Sequence, residues 1–193
     1  MERFLLIRLL NFEILQMKNI FLLLLLSITA SVSSQTINWM TMNEALAAQE
    51  KKPKKIIMDV YTDWCGPCKM MDKNTFSDKK VIKFINENYY AVKFNAEGTE
   101  EITFEDFTYT NPNHQEGRKG RNTTHFFADA LKLRGYPSLV FFEDNGKLIQ
   151  AVAGYRTPQQ VEIYLKMIAN DDYKDLKTAE AWQDYQANFK GTF

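Results

Sequence analysis

The sequence predicts an α/β fold: a central mixed β-sheet with helices packed on both of its faces. Short apolar runs alternate with stretches of helical period in the order β-α-β-α-β-β-α, with one further helix before and one after. Two of the runs flank Asn145-Gly146, a strong hairpin signal that makes one end of the sheet antiparallel. The earlier runs are joined through helices, the usual connection between parallel strands. At 193 residues the chain has room for one domain of ordinary size and little else.

Residues 1–34 stand apart. Asn19 to Asn43 carries no charge, yet its apolar heart runs only from Ile20 to about Ala30. A membrane span needs roughly 20 apolar residues. Lys18, the apolar core Ile20–Leu26, and then Ser31, Ser33 and Ser34 have the anatomy of a secretory signal. Cleavage after Ser34 is expected, leaving Gln35 first. Phe4–Leu10 is a second apolar patch carrying Arg8, with Glu13 behind it, so a start at Met17 would make the cleaner signal. The alternative is an uncleaved anchor using both patches, against which Arg8, Glu13 and Lys18 count. No cysteine directly follows the apolar core, so no lipid anchor is expected.

A domain is expected over residues 35–170. Thr41 followed by Glu44 reads as a capping box opening a short helix, which the run Lys51-Lys52-Pro53-Lys54-Lys55 ends as a solvated turn. Ile56–Tyr61 reads as a buried strand, with Asp59 inside it at a cost that calls for a purpose. The helix through Lys69-Met70-Met71 is interrupted at Thr75-Phe76-Ser77-Asp78, which offers a second N-cap; Val81, Ile82, Phe84 and Ile85 form the next apolar face. In Tyr89–Ala96, Tyr90, Val92, Phe94 and Ala96 share one strand face, and Lys93 and Asn95 the other.

From about 98 to 124 the chain turns polar, and this stretch is expected to be an inserted loop, partly ordered by Phe104, Phe107 and Tyr109. A short helix over about Phe126–Leu133 leads to Gly135-Tyr136-Pro137. Ser138–Phe142 and Lys147–Ala153 are the hairpin strands. Thr157-Pro158-Gln159-Gln160 combines an N-cap, a first-turn proline and a capping-box glutamine. Residues 171–193 are expected to form a helical extension near Ala179–Asn188, packing Trp182, Tyr185 and Phe189 against the domain.

The formal charge is zero, so neither a nucleic acid nor an anionic lipid surface is expected as partner. The two cysteines stand in Cys65-Gly66-Pro67-Cys68, too few for a disulfide scaffold and spaced for redox or metal chemistry. Cys65 falls at a helix N-terminus, where unsatisfied N–H groups and the helix dipole favour a thiolate. Cys68 lies one turn inside, close enough to close an intramolecular disulfide. Gly66 and Pro67 make a stiff junction, with the missing N–H of Pro67 placed where it costs little. Haem attachment fails, because Lys69 stands where a histidine is needed. A zinc site would have to draw in both His114 and His125; no metal is expected. A passive structural disulfide stabilises little across so short a ring.

The stretch Asp59-Val60-Tyr61-Thr62-Asp63-Trp64-Cys65-Gly66-Pro67-Cys68-Lys69 resembles the active-site signature of the thioredoxin superfamily. The resemblance continues in Val92-Lys93-Phe94-Asn95, Arg134-Gly135-Tyr136-Pro137-Ser138, Asn145-Gly146 and Gly154, and covers roughly Ile56 to Ala169. It implies a thioredoxin-like three-layer fold and assigns roles. Cys65 would be the attacking thiolate and Cys68 the resolving thiol. Asp59 would be the buried acid that takes the Cys68 proton, and Lys93 its partner. Pro137 would be the cis-proline facing the disulfide. Trp64, Gly66, Pro67 and Tyr136 would join it in contacting substrate. The break at Thr75–Asp78 is more similar to the periplasmic thioredoxin-like domain of transmembrane disulfide reductases and their soluble relatives. Tyr61 and Thr62 depart from the usual Trp and Ala, and the kinking proline of the helix is missing.

What the resemblance implies is a thiol–disulfide oxidoreductase, a reductase or isomerase-like exchanger acting on disulfides of exported proteins, in the periplasm. Its only redox group would be the Cys65–Cys68 pair, without further cofactor. It would draw electrons from a membrane-bound or soluble thiol donor, and a monomer is expected. The alternatives are a dithiol oxidase, and a thioredoxin-fold binding module whose redox activity is incidental.

Overall fold

The computed structural model describes residues 36–193 and, before them, Lys18 alone. Apart from that lysine, the expected signal segment lies outside the described residues.

A five-stranded sheet runs through the middle, in the order β1-β3-β2-β6-β7. Its members are β1 (Trp39–Met40), β2 (Ile56–Tyr61), β3 (Tyr90–Asn95), β6 (Ser138–Phe142) and β7 (Leu148–Ala153). β1 and β2 both pair parallel with β3, whereas β6 runs antiparallel to β2 and β7 antiparallel to β6. The mixed sheet is the expected one. β1 was not expected, since two residues are too few to carry a period.

The helices lie on both faces because successive strand residues point to opposite sides. Ile57 of β2, Ala91 of β3, and Leu139 and Phe141 of β6 pack with Met71, Val81, Ile82, Ile85, Val161, Leu165 and Ile168. Those seven come from α2 (Gly66–Asn74), α3 (Lys79–Asn88) and α5 (Pro158–Ala169). The alternate residues Ile56, Met58, Val60, Val92, Phe94, Val140 and Phe142 pack with Met42 and Ala45 of α1 (Met42–Lys51) and with Phe127 and Ala128 of α4 (Phe126–Ala130). The caps read from the sequence are formed: Thr41 and Glu44 satisfy each other's main-chain N–H, and so do Thr157 and Gln160. Asp78 caps α3 by accepting from the amides of Lys80 and Val81.

The polar stretch is more ordered than expected. Ile102–Phe104 (β4) and Phe107–Tyr109 (β5) form a separate antiparallel hairpin. Ile102 is buried, and Phe104 and Tyr109 set their rings against Phe127 at 5.5 and 5.2 Å. The turn residues Glu105 and Asp106 both hold positive φ, 49° and 61°. Asn111 pins the base of the segment, its amide donating to the carbonyls of Gly98 (3.1 Å) and Thr123 (2.8 Å). The following helix is shorter than expected, because Lys132 turns left-handed at φ 51°.

Beyond α5, a 3-10 turn (Asp172–Lys174) leads to α6 (Ala179–Asn188), with Trp182 and Tyr185 partly buried against the α5 side of the core. The chain end is clasped by the buried Glu162, whose carboxylate accepts from the amides of Thr192 (2.6 Å) and Phe193 (3.0 Å). No helix among the described residues is long and apolar enough to cross a membrane.

Candidate active site

The site forms where β2 stops and α2 starts. The Cys65 amide donates to the Thr62 carbonyl at 3.1 Å, closing the turn that leads out of the strand. Cys65 is the N-cap of α2, with Gly66 and Pro67 in the first turn, so the absent N–H of Pro67 leaves no carbonyl short. A disulfide joins Cys65 to Cys68, with the Cα atoms 5.3 Å apart. The Cys65 sulfur also accepts the Cys68 amide at 3.1 Å. A sulfur held by a main-chain donor at the positive end of a helix is one on which negative charge is favoured after reduction.

The pair is almost closed off from solvent. Cys65 and Cys68 are only 2% and 3% exposed. Cys68 and Met71 of α2 and its C-cap Thr75 recur at helical spacing on one buried face. The exposed part of the motif is Asp63, Trp64, Gly66, Pro67 and Lys69.

Asp59 sits on the sheet face covered by α2, and it is register-paired with Lys93 of β3. It is 1% exposed, and Lys93 Nζ lies 2.6 Å from its Oδ2. Its other oxygen, Oδ1, bonds to no other described residue. Burial raises the carboxyl from 3.8 to about 6, with the Lys93 charge and hydrogen bond pulling the other way. Lys93 is itself enclosed. Its ammonium contacts Asp72 of α2 as well as Asp59 and lies about 5 Å from the rings of Trp39, Tyr61 and Phe76. Burial acts to lower its pKa, and the two carboxylates outweigh burial and raise it. A carboxyl that can hold or release a proton near neutrality thus stands behind the disulfide-bearing helix.

On the exposed side, the Tyr136 ring meets Trp64 edge-on at 6.3 Å. The Tyr136–Pro137 peptide is cis, as the resemblance implied. Pro137 is buried, its carbonyl accepting the Gly154 amide at 2.7 Å, and the side chain of Ser138 donates to the Gly135 carbonyl at 2.7 Å. Trp64 is held by two residues the sequence did not single out. The indole N–H donates to the Glu97 carboxylate at 2.9 Å, and the Arg121 guanidinium lies 4.5 Å from the ring centre. Asp72 was missed as well, although it stands one helical turn after Cys68. His125 spends both ring nitrogens on main chain, with the Glu100 carbonyl and the Phe127 amide, and His114 Nδ1 lies 2.8 Å from the Glu97 carbonyl.

A family model described as a thioredoxin-like domain matches residues 42–169, about two thirds of the chain. The chain belongs to that family. The thioredoxin-like domain is 28% identical over 127 residues to the thiol:disulfide interchange protein DsbD of Pectobacterium atrosepticum, covering 65% of this chain and 18% of that protein. Over 42 residues it is 48% identical to the DsbD of Escherichia coli K12, covering 22% of this chain and 7% of the relative. The chain therefore spans less than a fifth of these relatives' length. Among solved structures, it is similar to a thioredoxin-fold protein from Helicobacter pylori, with a TM-score of 0.56, 18% identity, and 79% and 89% of the two chains covered. A thioredoxin from Thermus thermophilus gives a TM-score of 0.51 at 15% identity, covering 69% of this chain and 87% of the other. These two likenesses establish the fold. On that fold, Cys65 and Cys68 stand at disulfide distance.

Proposed function

We propose that the protein is a thiol–disulfide oxidoreductase that reduces or reshuffles disulfides of exported proteins. The observation that carries this reading is the Cys65–Cys68 disulfide at the start of α2, its N-cap sulfur accepting a main-chain N–H and the near-neutral carboxyl of Asp59 behind it. The likeness to thiol:disulfide interchange proteins supports it.

In the reduced protein, the Cys65 thiolate attacks one sulfur of a substrate disulfide. A mixed disulfide forms and the other substrate sulfur leaves as a thiolate. Cys68 gives its proton to Asp59, directly or across water, and its thiolate attacks the Cys65 sulfur. The Cys65–Cys68 bond closes, and the second substrate thiolate leaves. Two electrons have passed to the substrate, so a thiol donor must reduce Cys65–Cys68 before the next cycle. Trp64, Gly66, Pro67 and Tyr136 offer the surface on which an extended substrate segment would lie. The Tyr136 main chain, which bonds to no other described residue, is available to pair with that segment.

The signal-like segment before residue 35 supports an exported, periplasmic location, where disulfides persist. The deciding experiment is a Cys68→Ser variant expressed with its natural leader. It should accumulate mixed disulfides through Cys65 with exported proteins. If no covalent partner appears and the wild type cannot reduce a test disulfide, the reading falls. The reduction potential of the pair then separates a reductase from an oxidase.

A further inference from the structure

We infer that the segment 98–124 selects substrates for this site, favouring disulfides flanked by acidic side chains; the inference rests on the exchange reading above. Residues 115–122 do not hang free beside the dithiol. The Glu97 carboxylate, 9% exposed, accepts at 2.9 Å from both the Trp64 indole N–H and the Asn122 amide, so one buried anion ties the returning end of the segment to the residue before Cys65. The Arg121 guanidinium, 4.5 Å from the centre of the Trp64 ring, closes the clasp.

The clasp sets three basic residues, Arg118, Lys119 and Arg121, at the edge of the substrate surface. All three are exposed, and none pairs with a carboxylate among the described residues. Arg118 lines a recess of about 290 Å³ together with Trp64, Glu97 and His114. Three more exposed cations without a carboxylate partner among the described residues neighbour the same motifs in the chain: Lys69 follows Cys68, and Lys132 and Arg134 precede Tyr136. Against these six stand the exposed Asp63, Glu116 and Asp129, while Glu97 is already spent on Trp64 and Asn122. Although the chain's formal charge is zero, exposed basic side chains thus outnumber exposed acidic ones in the clasp and in the sequence next to Cys68 and Tyr136. Charges at the rim of a contact act on encounter and partner choice more than on tight binding.

The test compares three substrates with the full-length protein: two disulfide-bonded peptides differing only in glutamate or lysine beside the cysteines, and a small uncharged disulfide. At low salt the wild type should reduce the glutamate peptide with a kcat/KM on the order of tenfold above the lysine peptide, an advantage that fades at 0.5 M salt. In R118Q/K119Q/R121Q the ratio should fall toward one. Glu97→Gln, which loosens the clasp and keeps the basic residues, should reduce the ratio in part. Serine versions of the peptides, followed on the Trp64 indole NMR signal, read the surface without any exchange. A larger shift with the glutamate peptide supports the inference even if every disulfide is left intact, an outcome that would remove only the exchange reading. Equal kcat/KM for the two peptides with the uncharged disulfide still reduced, equal indole shifts, or a ratio unchanged in the triple variant would each overturn it.

Discussion

Asp59 and Lys93 are register partners on adjacent parallel strands, and their side chains meet at 2.6 Å on the sheet face beneath the cysteine-bearing helix. A buried carboxylate costs free energy unless it is paired, and here one ammonium serves both Asp59 and the more exposed Asp72. The pairing is incomplete, since burial still wins and holds the Asp59 carboxyl at about 6.

Asp59→Asn should therefore stabilise the protein at neutral pH. The folded-state pKa lies above the unfolded 3.8, so Asp59 contributes its full stability below about pH 4 and loses it as pH rises through about 6. That elevation corresponds to about 3 kcal/mol. Urea unfolding of wild type and variant should give curves that separate by about this amount between pH 4 and pH 8. The same variant should slow release of substrate from Cys65 at pH 7, seen as longer-lived mixed disulfides in rapid-quench experiments.

Lys93→Met removes the cation and leaves Asp59 buried against apolar atoms. Its carboxyl should then titrate higher than about 6. Removing one partner of a buried pair costs about 3 kcal/mol or more when both ionise, and the Asp59→Asn/Lys93→Met double variant should recover most of that loss at pH 8. A single variant as stable as the wild type at pH 8 would contradict this account of the pair.

His125 caps α4 as a neutral imidazole: Nδ1 accepts the Phe127 amide at 3.0 Å, and Nε2 donates to the Glu100 carbonyl at 2.7 Å. Burial lowers its pKa. A depressed folded-state pKa means that its contribution is complete above the ordinary value of about 6.5 and is lost as pH falls below it. His125→Asn keeps a capping acceptor without a proton to gain. Denaturant midpoints at pH 5 and pH 7 should differ less for the variant than for the wild type.

The β4–β5 turn places Glu105 and Asp106 at φ 49° and 61°, a conformation that glycine and asparagine take more readily. Replacing the pair with Asn-Gly should raise stability by about 1 kcal/mol, provided the hairpin stays packed through Phe104 and Tyr109. Thermal unfolding of the double variant checks this.

The sequence by itself determined the sheet strands that carry a period, the capped helices and the dithiol. These depend on local signals: alternation in Tyr90–Asn95, a capping box at Thr41, Asn145-Gly146 between two apolar runs, and cysteines three apart. It also marked Asp59, because a charge inside an apolar run has few structural explanations. Only the tertiary structure decided what surrounds those residues. Asp72 joined the Lys93 pair because α2 crosses the sheet at that point. Glu97 and Arg121 reached Trp64 because the 98–124 segment folds back, with a hairpin whose Glu105-Asp106 turn has no glycine or asparagine to announce it. The burial of both cysteines followed from α2 turning its Cys68–Met71–Thr75 face inward. Local periodicity reports which way a side chain points along its own element; what it meets is set by contacts between residues far apart in the chain, which leave no period to read.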